Sequence, residues 1–116
     1  MKHRLSVALT LLAALSALSC AAEPVHVFLR CGPKTHGPGE HDGPLFLTNW
    51  SRLLTDRGAK VDGAVGFPDA AQLDATDVMV MYCAEGGAIH GEERERLEQF
   101  LKRGGGLVVI DRKSVV

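Results

Sequence analysis

Apolar and polar positions change period several times along the chain, and the changes mark out its elements. Val25-His26-Val27-Phe28-Leu29-Arg30-Cys31 is a near-continuous apolar run ending at Gly32. It predicts a strand buried on both faces. After a loop crowded with glycine and proline, Pro44 stands where a helix would begin, in keeping with the preference for proline in the first turn. Phe46, Leu47, Trp50, Leu53 and Leu54 share one helical face, and Gly58 supplies a left-handed stop. Lys60 to Val65 predicts a second strand, weakened by Gly63. Phe67-Pro68-Asp69 opens a short connection from which Leu73 turns to the core.

Asp77 to Cys83 predicts a third strand, again apolar enough to be buried on both faces, with a turn after it over Ala84 to His90. The next helix begins near Gly91, with Glu92 and Glu93 at the positive end of its dipole. Leu97, Phe100 and Leu101 form its core stripe, and Lys102 and Arg103 precede the helix stop Gly104-Gly105-Gly106. Leu107 to Ile110 is the fourth strand. Strands alternating with helices predict an α/β fold: an open parallel sheet of about four strands with flanking helices, Rossmann-like or flavodoxin-like. After Ile110 only six residues remain, so the fourth strand lacks a covering helix and the core is marginal for its size. The expectation is a C-terminally truncated domain.

The first 21 residues stand apart from that fold. Met1-Lys2-His3-Arg4 is basic, Leu5 to Leu18 is apolar but short for a membrane span, and Ser19-Cys20-Ala21-Ala22 is small. This order predicts a secretory signal peptide over residues 1–21, with the domain over 22–116. Ala17-Leu18-Ser19-Cys20 also resembles a lipobox, which would make Cys20 a lipid anchor and the one route to a membrane. The protein is expected to be exported, periplasmic or extracellular. The 116 residues are 46% hydrophobic and 23% charged, too apolar for a disordered chain. A net charge of −1 leaves no electrostatic footprint for nucleic acid.

Candidate chemistry gathers where an open α/β sheet binds ligands, at the carboxyl ends of its strands. The loop after the first strand carries His36, Glu40, His41 and Asp42; the turn after the third carries Cys83, Glu85, Gly86, Gly87 and His90; Asp111 follows the fourth. If the first and third strands are neighbours, the two loops face each other. His36 and His41, with Glu40 or Asp42, are suitable ligands for a divalent metal such as zinc, iron or nickel. The alternative is a solvated loop in which Glu40 or Asp42 caps backbone amides. Cys83 is a small strand-end residue, a partner for Cys31 in a disulfide, or a thiol nucleophile, although it lacks the glycines of a nucleophile elbow. Trp50 and Tyr82 read as core or rim residues.

His36-Gly37-Pro38-Gly39-Glu40-His41, the helix with Leu53-Leu54, the strand Asp77 to Cys83, and Phe100-Leu101-Lys102-Arg103-Gly104-Gly105-Gly106 before Leu107 to Ile110 together resemble the ThuA-like (trehalose-utilisation) family. The likeness is strongest to exported bacterial members with a Ser/Thr-His-Gly-Pro-Gly-Glu-His loop. It spans about residues 25 to 110. The resemblance implies a class I glutamine-amidotransferase-like fold and a role in carbohydrate use. It does not imply amidotransferase chemistry, because the nucleophilic cysteine of those enzymes follows the strand matching Leu107 to Ile110, where this chain has Asp111-Arg112. The family's histidine-containing turn after that strand, and its second half, have no counterpart here. The expected function is sugar or polyol utilisation, with His36, Glu40, His41, Glu85 and His90 as acid/base groups and His36 and His41 as metal ligands. Histidine titrates in the range that suits proton transfer at a sugar hydroxyl. The alternative is a non-catalytic carbohydrate-binding or scaffolding module with the same fold.

Overall fold

The computed structural model describes residues 22–35, 37–38, 40–82 and 89–110. In chain order the elements are β1 (His26–Cys31), α1 (Gly43–Thr55), β2 (Lys60–Val65), α2 (Ala70–Asp74), β3 (Val78–Tyr82), α3 (Glu92–Lys102) and β4 (Gly106–Ile110). The strands form one sheet in the order β2-β1-β3-β4, with every pairing parallel. This is the α/β fold with an open sheet that the alternation of patterns predicts, and its strand order is flavodoxin-like.

The chain runs from β1 outward to β2, then crosses back over β1 to β3. Crossovers between parallel strands are right-handed as a rule, and two that run in opposite directions across the sheet put their helices on opposite faces. The side chains confirm this division. Val27, Leu29 and Cys31 of β1 and Val80 of β3 pack with Phe46 of α1, joined by Leu47, Trp50 and Leu54. On the other face Met79 and Met81 pack with Leu73 of α2 and Phe100 of α3. β1 lies between two strands and two helical layers, and all six of its residues are buried.

Helix ends agree with local chemistry. Asp42 caps α1 by accepting from the Leu45 amide, and Asp69 and Gln72 form a reciprocal capping box at α2. Arg103, at the end of α3, donates to the carbonyls of Leu73 and Thr76 and so ties α3 to the end of α2. At the amino ends of the strands the His26 amide donates to Asp77 Oδ2, and its ring Nε2 lies 2.7 Å from Asp62 Oδ2.

Two assignments to the core fail. Leu53 and Leu101 are 40% and 42% exposed, each on the rim of its helix's apolar stripe. β4 is an edge strand whose Leu107, Val108 and Val109 are exposed on both faces. The expected signal peptide (residues 1–21) and lipid-anchor residue Cys20 lie outside the described residues. Among the described residues no helix is long and apolar enough to cross a membrane.

Candidate functional site

The carboxyl ends of β1 and β3 lie side by side because these strands pair in register, Cys31 against Tyr82. The Gly32 amide donates to the Tyr82 carbonyl at 3.3 Å and extends the ladder one step beyond the strands. The loop after β1 turns towards α1, whereas the chain after β3 passes to α3 on the opposite face. That divergence is the switch point at which open sheets form a crevice.

The described residues between β1 and α1 bond to one another. The Thr35 amide donates to the His41 carbonyl, the Lys34 ammonium donates to the Gly37 carbonyl at 2.9 Å, and Lys34 Nζ lies 3.4 Å from Asp42 Oδ2. His41 takes φ +44°, a left-handed conformation that histidine adopts more readily than most residues. Gly43 is required where it stands. A Cβ there would run into the Gly32 carbonyl and sit 2.8 Å from Cys31 Sγ, so only glycine lets α1 start against the end of β1.

The expected site residues are only partly placed. Glu40 is exposed and His41 half-buried, both ahead of α1. His90 is exposed just ahead of α3, next to Ile89, which packs into the cluster on that face. His41 and His90 therefore stand ahead of helices that cover opposite faces of the sheet, and neither lines the cleft described below. His36, Cys83, Glu85, Gly86, Gly87 and Asp111 lie outside the described residues. Asp42 serves as a helix cap, as the solvated-loop alternative expects. Among the described residues no three His, Cys, Asp or Glu side chains gather to hold a metal ion. Cys31 is free and fully buried, and burial pushes its thiol pKa up.

The structure adds residues that the sequence reading assigned only to packing. A cleft of about 250 Å³ opens at the carboxyl ends of β3 and β4, lined by Asp42, Leu45, Phe46, Asn49, Trp50, Tyr82 and Ile110. Phe46 stacks on Tyr82 with ring centroids 4.7 Å apart, and Trp50 leans on Phe46 at 5.5 Å. Trp50 does contribute to the core, as expected, but it also walls the cleft. Asn49 was legible in principle, since it lies two helical turns beyond Asp42 and so on the same face. Arg30 was hidden inside an apolar run. It is only 7% exposed, and its Nε has no hydrogen-bond partner.

No family model matches the chain, and neither a curated protein nor a solved structure matches it.

Proposed function

We propose that the chain is a ThuA-like domain, exported by its first 21 residues, that takes part in sugar or polyol utilisation at the carboxyl ends of its strands. The observation that carries this reading is the make-up of the cleft between α1 and the ends of β3 and β4. Trp50 and Tyr82 offer aromatic surface for the apolar face of a sugar ring, while Asp42 and Asn49 offer acceptors and donors for its hydroxyls. A pocket of mixed aromatic and hydrogen-bonding character, with few charged groups, suits a neutral polyhydroxy ring. In the proposed enzyme, His36, Glu40, His41, Glu85 and His90 move protons at the mouth of the crevice, and His36 and His41 serve as ligands if a divalent metal takes part.

One observation favours the second reading, a non-catalytic carbohydrate-binding module. Asp42 is the carboxylate on the described wall of the cleft, and it already accepts from the Leu45 amide and faces Lys34. A carboxylate held in this way orients a hydroxyl better than it moves a proton.

Trp50 is the only tryptophan of the chain, so its fluorescence reports on the cleft alone. Titration with glucose and with trehalose is expected to shift or quench that emission saturably, and Asn49→Ala is expected to weaken binding by up to about tenfold, the order of one lost hydrogen bond. Emission unaffected by either sugar, with the fold intact, would overturn the carbohydrate reading. Turnover of a bound sugar that is lost in His41→Ala would decide for the enzyme over the binding module.

A further inference from the structure

We infer that the groove between α2 and α3 is a second ligand site, that it takes a small monocarboxylate with an apolar body, and that Arg96 holds the carboxylate. The groove has a volume of about 160 Å³, and all of its lining residues are among those described. It lies on the face of the sheet that carries Met79 and Met81, opposite the aromatic cleft, and owes nothing to the carbohydrate reading.

Both helices carry the chain back to the amino ends of parallel strands, so they lie side by side and run the same way. Two contacts fix how they are aligned. The guanidinium carbon of Arg96 lies 5.7 Å from the centroid of the Phe67 ring, just ahead of α2, and Arg103 donates to the carbonyls of Leu73 and Thr76 at the end of α2. The groove therefore has Arg96 at one end and Arg103 with Asp74 at the other. Between them Leu73 and Phe100, 4% and 1% exposed, form an apolar floor.

The two ends differ in charge. At the far end Arg103 and Asp74 carry opposite signs, and Arg103 is already bonded to two carbonyls. At the near end Arg96 forms no ion pair with a described residue. Arg94 pairs with Glu98 on the same helix, whereas Arg96 leaves Glu92 and Glu93, one turn back, for the Phe67 ring, and Asp69 is committed to the Gln72 amide. The Nε of Arg96 is buried without a hydrogen-bond partner among the described residues. Lying over the ring restricts the guanidinium, and a restricted planar fork suits a carboxylate. The volume is below the range of about 300–1,000 Å³ that holds a drug-sized molecule, so the ligand has only a few carbons. Its body lies on Leu73 and Phe100, and Asp74 at the far end disfavours a second carboxylate.

The test uses calorimetry and melting curves of the full chain with butyrate, acetate, succinate, butylamine and inorganic phosphate, and of its Arg96→Gln, Arg96→Lys and Ala70→Phe variants. Butyrate is expected to bind and to raise the melting temperature, since it joins two helices of the native state. Acetate lacks the apolar body and succinate meets Asp74, so each is expected to bind about tenfold more weakly. Butylamine is expected not to bind. Arg96→Gln is expected to weaken butyrate at least about tenfold, and Arg96→Lys, which keeps the charge without the fork, by less. Ala70→Phe fills the groove from an exposed position and leaves every charge in place. It is expected to abolish binding while melting with the parent when ligand-free. No butyrate binding by the folded parent overturns the inference, as does binding that either Arg96→Gln or Ala70→Phe leaves intact. Phosphate bound as tightly as butyrate and lost in Arg96→Gln would reassign the groove to inorganic anions and overturn the ligand class.

Discussion

Cys31 shows how one residue can hold several constraints. It is the last residue of β1, fully buried, with its Sγ directed at the Ala64 carbonyl and against the start of α1. Burial raises its pKa from the ordinary 9.0, and the nearby Arg30 charge opposes that rise in part. A thiol whose native pKa is raised stabilises the fold fully below its unfolded value, and that contribution is lost as pH climbs through the native one. Urea unfolding at pH values from neutral to above 9.0 is therefore expected to show stability falling at the alkaline end, and Cys31→Ala is expected to flatten that fall. The same contact makes Gly43 irreplaceable: Gly43→Ala should lower the unfolding free energy by about 3 kcal/mol in equilibrium denaturation, the upper range for an overpacked core. Asp42→Ala, which removes the cap together with the half-exposed Lys34 pair, should cost about 1 kcal/mol, most of it from the cap.

At the scale of elements, α3 is held to the sheet through Phe100, 1% exposed between Met79, Met81 and Leu73. Phe100→Ala is expected to destabilise the protein by about 4 kcal/mol, read as a lowered denaturation midpoint with an unchanged slope. Gly105 follows from the same packing, because a Cβ there would enter the Phe100 ring. Most of this was legible beforehand. β2 begins and ends where its pattern does, at Lys60 and Val65, and the helix stops at Gly58 and Gly104 have the left-handed φ of +87° and +95° that their position requires. Leu53 and Leu101 were misread because hydropathy marks the apolar stripe but not its edge. The cleft was invisible because Asn49 and Trp50 lie on a helix and Tyr82 and Ile110 on strands far along the chain, and only the strand order brings them together.

At the scale of the whole molecule, the interior and the edge of the described sheet are unequally finished. β1 is wholly enclosed, whereas β4 presents Leu107, Val108 and Val109 to solvent along an open edge. An exposed apolar edge of this kind invites pairing with another strand. Val109→Lys, at a position 55% exposed, is expected to reduce self-association in light scattering while leaving the melting temperature unchanged. The strand order has a further consequence for how the molecule comes into being. The strand synthesised first is the one placed at the centre, and its two neighbours are the second and third to leave the ribosome. β1 can join β2 early, but its other edge stays bare until Tyr82 has emerged. Every pairing in the sheet spans a whole crossover, so closing the loops precedes the reward of contact and folding is slow for so short a chain. A chain released before β3 is complete would carry the most deeply buried of the described strands with one side unprotected, and that nascent interval is when it most needs a chaperone.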